Sequence, residues 1–344
     1  MTWSGGLTNG IKTILITFEW LPMASSWFFS SASFVGNKDF LWFCEPLIEQ
    51  VLNNMCGILF CMIANKLCQK LDEDFITPEM TDEWVSEVLP VKSYICSRFL
   101  QREMGLVCDF AEEIKKVYTA VFPSNEVMQK IIDDGAQDAM LFVHHAATWD
   151  IRNAPDVFLP MDADLLEKFK DRRVSVYNLH VPLDNYGKYS TSVTLAKALG
   201  FEIEKPFAKY RGALAGVFCQ TGLKDANEMR NRFAFALGHR VGLYNYGARE
   251  INDGRVAVVA GGGNEVELLE EMCEAGIRQF LTGIAAKNDY SQKAHEFAQK
   301  NRINIFGGTH YSTEKFACIS LLDYFSQMGL PAEFIQDKPV MEDL

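Results

Sequence analysis

Positive charge is scarce in this chain: 33 Lys and Arg stand against 45 Asp and Glu, a formal net charge of −12 over 344 residues. Broad nucleic-acid binding is thereby disfavoured, because it needs a basic face to displace the counterions of the phosphate backbone. An anionic small molecule is compatible only through local positive groups or a bound metal. The chain has no Walker phosphate loop and no G-x-S-x-G nucleophile elbow, so two common routes to phosphate binding and serine hydrolysis drop out. None of the nine cysteines falls in a C-x-x-C pair. Cys219, Cys273 and Cys318 are flanked by apolar residues, so buried free thiols in a reducing compartment, the cytoplasm, are expected rather than a disulfide framework. A clean run of about 20 apolar residues, the length a spanning helix needs, is missing too. The nearest approach, "ILITFEWLPMASSWFFSSASF", is interrupted by Glu19 and Pro22.

What remains is the composition of a globular protein with a sizeable core, 48% hydrophobic and 23% charged. The length suits about two domains of roughly 150 residues each. Residues 1–61 read differently from the rest and are expected to be a poorly ordered extension or an over-long start, with a weak membrane anchor as the alternative. No membrane association is expected of the remainder. From Met62, "MIANKLCQKLDEDF" sets Ile63, Leu67 and Leu71 at spacings of four, one face of an amphipathic helix. Helical patterns such as "NEVMQKIIDDG", "STSVTLAKALG" and "EVELLEEMCEAG" then alternate with short apolar runs such as "AMLFVHH", "RVSVYNLH", "RVAVVAGGG" and "INIFGG". That rhythm predicts an α/β fold. A first α/β domain is expected over 62–185 and a second α/β segment over 186–335, packing back on the first. The less regular stretch 200–250 has room for antiparallel strands.

Three of the apolar runs end in polar residues that carry chemistry. "LFVHH" ends in His144 and His145; "NLHVPLD" has His180 and Asp184 four apart; "GGTHYSTEK" has His310 and Glu314 four apart. Four of the six histidines thus lie just past strand ends, where open α/β sheets place their ligands. A helix starting near Thr309 would stack His310 and Glu314 on its first turns. Pro182 argues against an interior helix at 180–184, so that pair must meet through a turn. In a regular strand His144 and His145 would face apart, serving two centres or leaving one of them structural. Four imidazoles and two carboxylates are enough N and O donors for two metals, with zinc, iron, manganese and cobalt all compatible. His239 and His295 sit in ordinary contexts and read as structural. Gly261-Gly262-Gly263 follows a strand and precedes a helix, a setting that can hold phosphate. Val266 occupies the place of the third glycine of a dinucleotide fingerprint, so a tight turn is the competing reading.

Taken in order, "LFVHH", "YNLHVPLD", "RVAVVAGGGNEV", "FLTG" and "GGTHYSTEK" resemble the Nif-three-like dinuclear-metal-centre hexameric proteins, many of them called GTP cyclohydrolase 1 type 2 homologues. The resemblance runs from about Met62 to the "SLLDYF" helix. It implies two interlocked α/β domains with a dinuclear metal site in the cleft at the strand ends, two divalent ions per subunit, and a homohexamer. His144, His145, His180, Asp184, His310 and Glu314 match the family's ligand positions, with Asp184 or Glu314 as the bridging carboxylate. The implied activity is metal-dependent hydrolysis of a nucleotide or small heterocycle, GTP to formate plus dihydroneopterin triphosphate. Glu314 or Asp184 would move the proton and serve as the catalytic residue. Lys287 and Lys315 are candidate phosphate contacts, against the plainer reading of solvated lysines. A non-enzymatic, metal-stabilised hexameric scaffold or regulatory binding protein is the alternative. Two departures bear on the choice. Ala146 and Pro182 stand where family members often have proline and an asparagine-like residue. "TGIAAKND", with Ile284, Lys287 and Asn288, replaces a segment that usually carries an acidic residue and histidines. Set against the family, the ligand set looks complete, and the residues behind the ligands or the substrate wall look altered.

Overall fold

The computed structural model describes residues 61–251 and 253–344, together with two paired dipeptides, Leu7–Thr8 and Ile11–Lys12. The expectations for residues 1–61 therefore lie outside the described residues, apart from Cys61. The amphipathic stretch after Met62 forms helix α1, Ala64–Phe75, which buries Leu67 and Leu71. Ile63 is not on that face. It precedes the helix, pairs with Glu113 in a two-residue ladder and is half exposed.

The next segment alternates strand and helix: β1 Gly105–Cys108, β2 Lys116–Ala120, α2 Asn125–Asp133, β3 Ala139–Val143, α3 Ala163–Asp171 and β4 Val174–Asn178. Ser124 caps α2 by accepting from the Val127 amide, and Gly135 takes the left-handed turn that ends it. Strand β3 pairs in parallel with β2 on one side and β4 on the other. A strand covered on both edges and both faces needs no polar alternation, which is why "AMLFV" is apolar throughout and wholly buried.

After β4 the chain builds a second sheet. In order come α4 Thr191–Ala198, β5 Glu202–Tyr210, β6 Ala213–Gln220, α5 Ala226–Leu237, β7 Gly242–Tyr244, β8 Arg255–Gly262, α6 Val266–Glu274, β9 Gln279–Ile284, α7 Gln292–Lys300 and β10 Asn304–Gly307. The sheet order is β5-β6-β8-β9-β10-β7, with β8, β9 and β10 parallel and the outer pairings antiparallel. The irregular stretch 200–250 thus supplies the antiparallel strands. Helix α8, His310–Gln327, then leads to β11, Ala332–Phe334, which returns to the first sheet beside β2. The first sheet therefore runs β11-β2-β3-β4-β1.

Helix α8 is buried on opposite sides. Ala317, Leu321 and Phe325 join the core beneath the first sheet, while Phe316 packs against the core of the second. A helix clamped between two sheets loses the single polar face of a surface helix. Residues Phe60–Leu344 form one compact unit. Cys219 and Cys318 are buried as expected, whereas Cys273 is half-buried; all three are free thiols. Among the described residues no helix is long and apolar enough to cross a membrane.

Candidate metal centre

The parallel neighbours β3 and β4 stop together, and the residues just beyond their carboxyl ends are His144, His145 and His180. Strand β10 stops at Gly307, and Thr309 turns the chain into α8. Thr309 adopts φ +68°, a left-handed conformation rare for a β-branched residue, and its hydroxyl caps α8 by accepting from the Ser312 amide. The first turns of α8 then bring His310 Nε2 to 3.2 Å from Glu314 Oε1.

His144 and His145 do not face apart. The strand ends at Val143, the next residues bend, and the two rings lie 4.4 Å apart centroid to centroid. Both reach Glu314, but on different oxygens. His145 Nε2 lies 2.9 Å from Oε2 and His144 Nε2 lies 3.4 Å from Oε1. The 180–184 segment also differs from expectation. Val181–Asp184 is a single helical turn with His180 as its cap, tolerated because Pro182 falls in the first turn, where an amide has no intrahelical acceptor. It sets His180 Nε2 3.7 Å from Asp184 Oδ2. Asp184 Oδ1 faces His144 Nε2 at 3.5 Å and accepts from the Thr191 hydroxyl at 2.7 Å.

All six predicted side chains therefore meet in one buried cluster. Three groupings of them, His144–His145–His180, His145–His310–Glu314 and His144–Asp184–Glu314, each have donor atoms within 4.8 Å of one another. The donor set fits a divalent metal. His144 Nδ1 is occupied by the Leu179 carbonyl at 2.9 Å, which leaves Nε2 aimed at two carboxylates, fully buried and with no hydrogen bond. An imidazole held by one nitrogen and free at the other is how metal-bound histidines are arranged.

Residues 86–339 match the family model Duf34/NIF3 (NGG1p interacting factor 3). The chain belongs to this family. It is 28% identical to a GTP cyclohydrolase 1 type 2 homologue of Archaeoglobus fulgidus over 67% of this chain and 87% of that protein. It is 26% identical to one of Yersinia pestis, again over 67% and 87%. Among solved structures it resembles the protein ybgI, with a TM-score of 0.63 at 19% identity over 81% of this chain and 100% of that one. Reduced HcgD of Methanocaldococcus jannaschii is similar at a TM-score of 0.57 and 20% identity, over 80% and 99%. At these identities the two structures show a shared fold.

In this Duf34/NIF3 protein several supporting residues carry no local sequence signal. Asp82, buried and 98 positions before His180, takes His180 Nδ1 at 2.9 Å and the Val181 amide at 3.4 Å. Phe122 stacks on His145 at 4.8 Å, and Trp84 meets it edge-on. Gly261 has φ +72°, and a Cβ there would collide with the Glu314 carboxylate. Its amide donates to the Thr313 hydroxyl at 3.0 Å. Within the glycine run it is Gly261 that makes room for Glu314, and its amide is already engaged.

Burial and charge oppose one another in the cluster. Burial alone would pull the His144 imidazole down, but the Glu314 and Asp184 carboxylates outweigh it and raise it to about 9. Burial dominates at His145, held well below the usual histidine range, and at Asp184, held above the usual carboxylate range. Burial would lift Glu314 as well, but His310, His145 and His144 hold it well below normal. Charge thus favours the protonated form of His144 and the ionised form of Glu314, and at His180 the Asp82 carboxylate likewise outweighs burial and raises the imidazole.

The cluster opens into a cavity of about 750 Å³ lined also by Trp149, Phe158, Tyr210, Lys209 and Arg211. Lys287 and Lys315 are not on its wall. Lys287 lies over the rings of Tyr244 and Tyr246, and Lys315 donates to the Leu237 carbonyl. The cations on the cavity wall, Lys209 and Arg211, come from the end of β5 and the turn after it, and Arg211 pairs with Glu83 at 2.7 Å. His239 bonds through both nitrogens to Arg240 and Ser312, and His295 to Tyr246 and Ala285, as structural histidines do.

Replacing Asp82 by asparagine is expected to weaken zinc binding by about 10- to 100-fold, the usual effect of losing an orienting partner behind a histidine ligand. Titration against a chromophoric chelator measures it, and unchanged affinity would show that Asp82 does not orient His180.

Proposed function

We propose that the chain holds two divalent ions among these six side chains and hydrolyses a nucleotide or similar small heterocycle. The reaction would be of the GTP cyclohydrolase 1 type 2 kind, GTP to formate plus dihydroneopterin triphosphate. The observation that carries the reading is the pairing at Glu314, whose two oxygens face different imidazoles while the buried His144 Nε2 has no hydrogen-bond partner. His145, His310 and Glu314 would hold one ion; His144, His180, Asp184 and Glu314 the other, with Glu314 between them. Zinc, iron, manganese and cobalt all suit these donors. Such a pair supplies a water with its pKa lowered toward about 7, a nucleophile at neutral pH.

The residues of the chain do the rest. Glu314 is committed to its three imidazoles, so Asp184, held by Thr191 at Oδ1, is the group that takes and returns the proton, at Oδ2. Trp149, Phe158 and Tyr210 flank a planar ring, and Lys209 and Arg211 anchor its anionic portion. The names of the curated relatives support the substrate class. The return of β11 to the first sheet supports two interlocked α/β domains, 62–185 and 186–335. A cytoplasmic homohexamer belongs to the same proposal.

One observation favours a second reading, a non-enzymatic metal-stabilised scaffold. Glu265, Glu267 and Glu271 also line the cavity and would repel a triphosphate. Elemental analysis with a turnover assay separates the readings. About two metals per subunit with GTP turnover support the hydrolase. Metal-loaded protein inert toward GTP and related nucleotides supports the scaffold, and metal-free wild type defeats both.

A further inference from the structure

Close to the metal donors lies a carboxylate that none of the predicted roles uses. Asp343, 0% exposed, comes from the short helical turn Met341–Asp343, far from the histidine motifs in sequence. One side-chain oxygen accepts from the His310 backbone amide at 2.8 Å and the other from the Trp149 indole at 2.8 Å. Its carbonyl accepts from the Ala285 and Ala286 amides at 2.7 and 2.8 Å. One residue thus ties together the bend after His144-His145, the end of β9 and the start of α8. The indole it fixes stands edge-on to the His310 ring at 4.8 Å and to Phe158 at 5.2 Å.

Trp149 also stands between two cavities. One is the metal-lined cavity; the other, of about 570 Å³, has Arg152, Lys287 and Tyr290 on its wall and shares Trp149, Asn264 and Ile284 with the first. A ring held by a hydrogen bond at its N–H and by two edge-on aromatic contacts is a fixed partition. Freed from Asp343, the indole would retain only its ring contacts.

We infer that Asp343 is a positioning residue: it sets His310 for metal binding and holds Trp149 as the wall that bounds the ligand cavity. It touches neither the donor nitrogens nor the reacting atoms, and acts through the His310 backbone and the indole. The inference rests on the metal reading above. Ligand orientation improves affinity without adding a ligand, and groups that orient a ligand commonly carry about 10- to 100-fold of it.

The test uses zinc alone as probe on the full chain, by chelator competition, with near-ultraviolet circular dichroism read in parallel. Trp149→Phe identifies the indole band of Trp149 among the six tryptophans by difference. Asp343→Ala is expected to bind zinc about 10- to 100-fold more weakly and to lose that band. Asp343→Asn, which keeps one acceptor oxygen, should fall between this variant and wild type. A folded Asp343→Ala, or Asp343→Asn if the alanine variant does not fold, with wild-type zinc affinity and an unchanged band would overturn the inference. Wild type that binds no zinc would instead overturn the metal reading beneath it.

Discussion

Glu314→Ala is expected to lower divalent-metal affinity by more than about 100-fold, beyond the loss typical of a merely supporting partner. The other carboxylate of the cluster, Asp184, meets two imidazoles, whereas Glu314 meets three. His310 and His144 face its Oε1 at 3.2 and 3.4 Å, and His145 faces its Oε2 at 2.9 Å. Removing it breaks two of the three donor groupings at once. The substitution also removes a buried carboxylate that, with Asp184, raises His144 to about 9. Removing one partner of a buried pair costs about 3–5 kcal/mol, and the lower end applies here because His144 can shed its proton. Elemental analysis and urea unfolding check the two halves separately. A variant that keeps wild-type metal content would remove Glu314 from the site.

The same pairing sets opposite pH trends for the metal-free fold and for metal binding. His144 is raised from 6.5 to about 9, so its contribution to metal-free stability is fully present below pH 6.5 and fades as pH rises through about 9. Glu314 is lowered from 4.5, so its contribution is present above pH 4.5 and is lost in acid. Metal-free stability should therefore peak between these limits. Binding must displace the protons that the carboxylates hold on His144 and His180, so zinc affinity should climb by at least about tenfold per pH unit up to about pH 9. An affinity flat between about pH 6.5 and 8.5 would mean that no proton leaves.

Local pattern carried the ligand set. β3 is legible because both of its neighbours are parallel strands, leaving an unbroken apolar run, and His310 with Glu314 is legible because α8 keeps its period from the first turn. What failed did so for physical reasons. Alternation placed His144 and His145 on opposite faces, but alternation holds only while the strand lasts, and it stops at Val143. Proline argued against a helix at 180–184, yet one turn has no amide for it to spoil. The strands "KVYTA" and "AEF" are short and half-polar, and they become strands by pairing with each other in the first sheet. Asp82 and Asp343 reach the centre by long-range packing, Thr191 from the first turn of α4, seven residues past Asp184, and Lys209 and Arg211 line the cavity from the end of β5 and the turn after it. None of these has a period or spacing to read.

The glycine run offers the sharpest test of how the centre is built, because its members should respond unequally. Gly261→Ala is expected to cost metal affinity about as heavily as Glu314→Ala, although it removes no donor. A Cβ at 261 would stand 2.2 Å from Glu314 Oε1 and 3.4 Å from the His310 ring, so the Glu314 carboxylate must move. The backbone adds strain, since φ +72° costs an L-residue about 1–2 kcal/mol. Relaxing φ would pull the Gly261 amide from the Thr313 hydroxyl, which in turn bonds back to the Thr309 carbonyl at the start of α8. The cost is thus transmitted to the turn that aims His310. Gly262→Ala is the control. Its φ is not left-handed, and a Cβ there would meet only the Ile284 side chain, at 3.7 Å. That variant should keep its metal and lose less than about 1 kcal/mol. Metal content and urea midpoints measured on both variants decide it. Equal losses would mean that the run is merely a turn, and a Gly261→Ala protein with wild-type metal would mean that Glu314 has room the cradle does not show.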